Sequence, residues 1–159
     1  MKTLLADPVK CTACRQCEIV CSVQKTGVSN PNRSPIRVIK REDRGLNIPV
    51  HCQHCIDAPC VKACPKEAIV RDNHMDRITI NQALCVRCQM CVSACPFGAV
   101  DFDKEKKKIF KCNLCNGEPQ CVAHCPEEAI QYIDIAKAVY PQKREAAFRL
   151  FGSKGIPMK

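Results

Sequence analysis

Apolar side chains come in short bursts along this chain, never in a long run. Ile36-Arg-Val-Ile39 alternates, and the spacing predicts a short strand. Ala68-Ile-Val70 and Arg77-Ile-Thr-Ile80 predict the two strands of a hairpin around Arg71–Asp76. Ala99-Val-Asp-Phe-Asp103 and Lys108-Ile-Phe110 predict another, with its tip in the charged stretch that begins at Lys104, and Ala129-Ile-Gln-Tyr-Ile133 predicts a last strand. Ser29-Asn-Pro-Asn-Arg-Ser-Pro35 is rich in turn formers, and Lys40-Arg-Glu-Asp-Arg44 reads as a solvated turn. Near the end, Pro141 starts and Gly152 stops a short predicted helix whose apolar side carries Ala147, Phe148, Leu150 and Phe151. So short a helix is unstable alone and must dock, on its own core, on another subunit or on a second copy.

These bursts are too thin to fill a conventional core. The chain has 159 residues, no Trp and 4% aromatics, and its 46% hydrophobic share is inflated by sixteen cysteines. A bound inorganic centre would supply what the side chains lack. A disulfide scaffold needs an oxidising compartment. Met1-Lys-Thr-Leu-Leu-Ala-Asp-Pro8 has neither the apolar region of a signal peptide nor twin arginines, so a cytoplasmic location is expected. Zinc sites usually separate two Cys pairs by a dozen or more residues, whereas here four cysteines crowd into eleven positions.

The densest stretch is Cys85-Val-Arg-Cys88-Gln-Met-Cys91-Val-Ser-Ala-Cys95-Pro96. It matches the bacterial ferredoxin run, in which three thiolates hold one [4Fe–4S] cubane and the fourth serves a neighbouring one. Such a run cannot be satisfied alone, and three more are present. The first holds Cys11, Cys14, Cys17 and Cys21, with Ser22 where a proline would stand. The second holds Cys52, Cys55, Cys60 and Cys64, and the fourth holds Cys112, Cys115, Cys121 and Cys125, both with a longer middle gap and a closing Cys-Pro. After three of the runs the chain repeats itself as CPKEAIV, CPFGAV and CPEEAIQ, a cluster loop and short helix leading into a strand.

Pairing follows from this order. Runs two and three are separated only by a hairpin, so Cys52, Cys55 and Cys60 are expected to share a cluster with Cys95, and Cys85, Cys88 and Cys91 with Cys64. Runs one and four then pair across them: Cys11, Cys14 and Cys17 with Cys125, and Cys112, Cys115 and Cys121 with Cys21. The expected fold is α+β, with two bacterial-ferredoxin-like two-cluster modules around small cluster-centred cores. Residues 48–101 form the inserted module, 1–47 and 102–136 the outer one, and 137–159 a docking tail with the short helix.

With its compact, extended, compact, extended order of runs, the chain over residues 3–133 resembles the four-cluster electron-transfer subunits of dimethyl sulfoxide reductase, formate dehydrogenase and formate hydrogenlyase. Cys11-Thr-Ala-Cys14-Arg-Gln-Cys17-Glu-Ile-Val-Cys21-Ser22, then Gly27, Asn30-Pro31 and Ser34-Pro-Ile-Arg-Val38, look like the short soluble ferredoxin subunits that accompany tungsten aldehyde oxidoreductases and carbon monoxide dehydrogenases. The resemblance implies four [4Fe–4S] clusters and a non-catalytic subunit. Its expected partner is a catalytic oxidoreductase subunit carrying a tungsten or molybdenum pterin. Further copies of itself, a flavin subunit or a ferredoxin are additional candidates, and a freestanding soluble polyferredoxin is the competing reading.

The formal charge of +9 would ordinarily suggest nucleic acid or an acidic membrane. Four cubanes with their thiolates contribute about −8, however, which brings the loaded protein near neutrality. No nucleic-acid-binding motif is present, and no apolar segment is long enough for a membrane span. The six glycines form neither a dinucleotide fingerprint nor a phosphate loop. Arg15 and Arg87, inside cluster loops, are candidates for tuning cluster potential, with plain solvated loop residues the favoured reading. His54 and His124 are expected to pack or to donate to sulfur, and Phe97 and Tyr132 to cover clusters.

Overall fold

A computed structural model describes residues 2–135. The predicted helix at Pro141–Phe151 and the docking tail 137–159 lie outside them. The chain builds four separate two-stranded antiparallel sheets joined by short helices. In order these are β1 (Lys2–Ala6), α1 (Gln16–Thr26), β2 (Arg37–Arg41), β3 (Leu46–Val50), α2 (Pro59–Lys62), β4 (Ile69–Asp72), β5 (Arg77–Ile80), α3 (Met90–Ala94), β6 (Val100–Asp103), β7 (Lys108–Lys111), α4 (Gln120–Ala123) and β8 (Ile130–Asp134).

The hairpins β4–β5 and β6–β7 fall where the alternation predicts them. Asp72 and Asp103 stand at equivalent places, each accepting N–H bonds from the tip that follows, and left-handed Asp76 and Lys107 close the two tips. Two pairings carry no clear sequence signal. Strand β8 pairs with β1, Lys2 opposite Asp134, so the first described residues zip onto the last. Only Leu4 of β1 is fully buried, and one apolar position gives no visible alternation. Strand β2 runs on to Arg41, turns through a 3-10 segment at Glu42–Arg44, and pairs with β3. Pro49 argues against a strand by sequence, but a two-stranded ribbon tolerates it at an edge.

Buried side chains form two groups. One joins Leu4, Ile36, Val38, Leu114 and Ile130 with Cys17, Cys21, Cys112 and Cys121. The other joins Ile69, Ile78, Val100 and Ile109 with Cys60 and Cys91. The first draws on both ends of the described chain and the second on its middle. Cys52 and Ala99, from the middle of the chain, pack with the first group, and Ile109 packs with the second. The fold is thus mixed helix and strand, small, and centred on cysteine.

The missing proline after Cys21 has a structural cause. The helices inside runs two, three and four stop before the last cysteine of the run, whereas α1 spans eleven residues and passes through Cys21 and Ser22. Proline at 22 would break it. Fully buried Ser22 donates its hydroxyl to the Ile19 carbonyl at 2.7 Å and accepts the Asn30 N–H at 3.1 Å. Gly27 then ends the helix in a left-handed conformation, its N–H on the Val23 carbonyl.

Candidate metal centres

The four cysteine loops share one backbone device. The residue just before the second cysteine of every run has positive φ: Ala13 at 57°, His54 at 47°, Arg87 at 63° and Leu114 at 57°. In three of the runs the residue after that cysteine does so too, Arg15 at 60°, Gln89 at 62° and Asn116 at 57°. Non-glycine residues enter this region at a cost of about 1–3 kcal/mol each, and such strain gathers where a ligand is held. Alternation of left- and right-handed residues turns successive N–H groups to one side, forming concavities that bind anions, iron–sulfur clusters among them.

The repeated Cys-Pro-x-x-Ala also acquires a physical meaning. Glu67, Gly98 and Glu128 are all left-handed and donate their N–H to the carbonyls of Cys64, Cys95 and Cys125. This turn brings the Ala68 and Ala99 N–H groups onto the thiol sulfurs of Cys64 and Cys95, at 3.2 and 3.4 Å. All three alanines, Ala129 included, are buried.

Cys11, Cys14, Cys17 and Cys125 line one small hollow, closed by Val38, Ala129 and Ile130. Cys64, Cys85, Cys88 and Cys91 line a second, closed by Ile69, Ile80 and Ile109. Of the remaining thiols, Cys21, Cys52, Cys60, Cys112 and Cys121 are buried and Cys55, Cys95 and Cys115 half-buried. Cys121 lies within electrostatic reach of Cys112, Cys21, Cys115 and, last, Cys17; Cys112 of Cys52 and Cys21; and Cys60 of Lys111, Cys52 and Cys95. Cys55 packs beside the same core as Cys60 and Cys95. Cys14 and Cys88 are exposed, whereas Cys52, Cys60, Cys112 and Cys121 are buried. Leu84, Val86, Met90 and Phe97, from the stretch that carries Cys88, are exposed apolar side chains.

The donor set suits iron–sulfur clusters. All sixteen cysteines are free thiols. Among the described residues no three His, Cys, Asp or Glu side chains converge as one metal ion would require. A cubane makes no such demand, because each thiolate binds a different corner. Burial, chiefly, pushes the Cys17 thiol up to about 12 and those of Cys91 and Cys112 to about 11, and it also raises Cys21, Cys60 and Cys121. Left metal-free, these thiols stay protonated; iron supplies the positive charge that makes a buried thiolate stable.

Two buried polar side chains stand out, and neither was assigned a definite role from the sequence. Lys111, 6% exposed, donates to the carbonyls of Ile78 at 2.6 Å and Cys112 at 2.9 Å, with no carboxylate partner among the described residues. It lies where the β4–β5 hairpin meets the fourth run, a junction also pinned by Arg77 bonds to the Asn113 carbonyl and the Asn116 side chain. His54 accepts the Ile78 N–H on Nδ1 at 2.9 Å, so its own proton sits on Nε2. That Nε2 is buried and has no partner. Burial, then the charges of Lys111, His51, Arg71 and Arg77, pull the imidazole down to about 3, so it is neutral.

Other sequence candidates play smaller parts. Arg15 and Arg87 are exposed in their loops, and Arg15 also lines the first hollow. His124 is exposed, its Nδ1 bonded to the Gln120 carbonyl at 3.0 Å. Tyr132 packs on the first core and meets the Lys2 ammonium, while Phe97 is half exposed. Glu18, missed by sequence reasoning, is buried and accepts the Val38 N–H at 2.7 Å, tying α1 to β2. Only its place on the inner face of a helix inside a cysteine run could have signalled this.

Four cysteine loops with left-handed backbone and sixteen free thiols around cysteine-centred cores define a multi-cluster iron–sulfur protein. Comparison with known proteins specifies it further. Residues 43–135 match the family described as 4Fe-4S dicluster domain, and residues 8–24 match the 4Fe-4S binding domain. The polyferredoxin-like subunit of aliphatic sulfonate oxidoreductase from Pyrococcus furiosus is 36% identical, over 86% of this chain and 79% of its own. Electron transport protein HydN of Escherichia coli is 34% identical, over 84% of this chain and 89% of its own. Among solved structures, the BamBC complex of benzoyl coenzyme A reductase with 1,5-dienoyl-CoA contains a chain that matches with a TM-score of 0.50. It is 22% identical over 96% of this chain and 92% of that chain, a likeness of fold. The chain belongs to the 4Fe-4S dicluster domain family of electron-transport proteins. It is a non-catalytic carrier of electrons, and its sixteen cysteines fit four [4Fe–4S] clusters. Among the described residues no helix is long and apolar enough to cross a membrane.

Proposed function

We propose that this chain is the electron-wire subunit of an oxidoreductase complex, with its thiols divided into four quartets across two nested modules. The quartets are Cys11, Cys14, Cys17 and Cys125; Cys21, Cys112, Cys115 and Cys121; Cys52, Cys55, Cys60 and Cys95; and Cys64, Cys85, Cys88 and Cys91. The observation that carries this reading is the lining of the two hollows, each by three cysteines of one run and the last cysteine of another. Electrostatic proximity within the two deeper sets supports the rest. Bound in these loops, each [4Fe–4S] cubane supplies a one-electron couple with little reorganisation. The chain's own residues insulate the inner quartets and leave Cys14 and Cys88 exposed at the outer ones. Electrons are thus taken up at one outer quartet and delivered at the other.

The catalytic partner we favour carries a tungsten or molybdenum pterin, as in aldehyde oxidoreductases. The Pyrococcus relative, a named oxidoreductase subunit matched over most of both chains, supports a subunit role rather than a freestanding carrier. Anaerobic purification of the tagged chain at native expression levels tests this. A stoichiometric partner containing tungsten or molybdenum is expected; a chain that elutes alone with all its iron favours the freestanding carrier. Cys21→Ala tests the quartets. It should disturb the cluster of Cys112, Cys115 and Cys121 and spare that of its own run-mates Cys11, Cys14 and Cys17.

A further inference from the structure

We infer that His54 donates its Nε2–H to sulfur of the cluster held by Cys52, Cys55, Cys60 and Cys95, raising that cluster's reduction potential. The inference rests on the quartet assignment proposed above. Its starting point is the unpartnered Nε2, buried from water. A buried N–H without an acceptor is rare in native proteins, and each case calls for an explanation. Here the missing acceptor is one the polypeptide does not supply.

Three observations fix what that acceptor can be. The tautomer is set from the far side, because the Ile78 N–H occupies Nδ1 at 2.9 Å and leaves Nε2 as the donor. The backbone is set as well. His54 is left-handed, and Arg71 binds the carbonyls of His54 at 3.2 Å and Cys55 at 2.8 Å. Finally, the residue lies between Cys52 and Cys55, inside the loop that wraps the cluster, where thiolate and sulfide sulfurs are the acceptors at hand. The corresponding positions in the other loops are Ala13, Arg87 and Leu114, two apolar side chains and an exposed one. A buried ring N–H is thus peculiar to this loop. Reduction adds negative charge to the acceptor, and hydrogen bonds to charged acceptors are the stronger ones. The bond therefore favours the reduced state and raises the potential.

The two ring nitrogens allow a separation of roles. Asparagine reproduces the Nδ1 position, can accept the Ile78 N–H and tolerates left-handed backbone, but does not extend to Nε2. Glutamine reproduces the Nε2 position and abandons Ile78. The anaerobic full-length protein is titrated potentiometrically by EPR, with 15N-histidine labelling for pulsed EPR. In wild type, one reduced cluster should show coupling to a histidine 15N. In His54→Asn this coupling disappears and one of the four reduction steps becomes less favourable by about tenfold, equal to about 59 mV for one electron. In His54→Gln that step returns towards the wild-type value. Absence of the coupling in the wild type, or a His54→Asn variant with all four steps unmoved, overturns the inference while the quartets stand. A wild type with fewer than four clusters overturns the quartets and this inference together.

Discussion

Replacing Lys111 by Met tests whether this buried cation is the counter-charge for the clusters at the centre of the row. Its ammonium lies 2.9 Å from the Cys112 carbonyl oxygen, which by covalent geometry puts it no more than about 7 Å from that residue's sulfur. Its charge also acts on Cys60, which the proposed assignment places in the other inner quartet. With an effective dielectric constant of about 20, a unit charge about 7 Å away is worth roughly 2 kcal/mol. One-electron reduction adds one negative charge, so losing the lysine disfavours reduction by about thirtyfold, or about 90 mV. The shift is downward and should appear in two steps at once, those of the quartets containing Cys112 and Cys60. His54→Asn, by contrast, moves one. The assay is an anaerobic EPR-monitored redox titration of variants with full iron content. Methionine keeps most of the volume, so packing changes little, although the Ile78 and Cys112 carbonyls lose their donor at a cost of about 1–3 kcal/mol. Four unmoved potentials in a fully loaded Lys111→Met protein would refute the counter-charge argument.

Further outcomes are expected elsewhere. Glu18→Ala leaves the Val38 N–H without its carboxylate and should destabilise the loaded protein by about 1.5–3 kcal/mol in anaerobic denaturation, with Glu18→Gln recovering part of the loss. A change below about 0.5 kcal/mol, the scatter of ordinary surface substitutions, would mean the bond is unimportant. Asp103 is held below the usual carboxylate range by the Lys106 N–H, then by the Arg33 guanidinium and the Glu105 N–H. A depressed folded value gives stability that is present above the unfolded value near 3.8 and lost as pH falls through the folded one. Asp103→Asn should therefore lower Tm by a constant amount between pH 8 and 5. A difference that fades within that window contradicts the assignment. Reconstitution at pH 8 should release close to one proton for each of Cys17, Cys21, Cys60, Cys91, Cys112 and Cys121 beyond that of the iron–sulfide mixture alone, because thiols raised above the ordinary 9.0 are protonated at that pH until iron binds. A pH-stat reading with no excess release would contradict it.

Much of this architecture is written locally in the chain, and the parts that are not share a cause. The hairpins at Ile69–Ile80 and Val100–Lys111 were legible because each alternates around a polar tip of four residues. The cysteine runs were legible because cubane geometry fixes their spacing. The β1–β8 pairing was not, since it joins positions more than a hundred residues apart and buries little besides Leu4 on the β1 side. The role of Ser22 was hidden for a related reason. The sequence shows a proline missing, but only the continuation of α1 shows why the site needs an N–H and a hydroxyl. His54 and Lys111 carry the same lesson into the site. A histidine or lysine beside a cysteine is unremarkable in one dimension. It becomes informative when one nitrogen is bound, the other is buried and empty, or the ammonium has carbonyls but no carboxylate around it.

Native mass spectrometry of the anaerobically purified chain, before and after removal of metal, tests the central claim most directly. The account predicts a mass difference equal to about sixteen irons and sixteen sulfides, shed in units of whole cubanes. A difference corresponding to four zinc ions, or to two cubanes with eight cysteines left as free thiols, would contradict it.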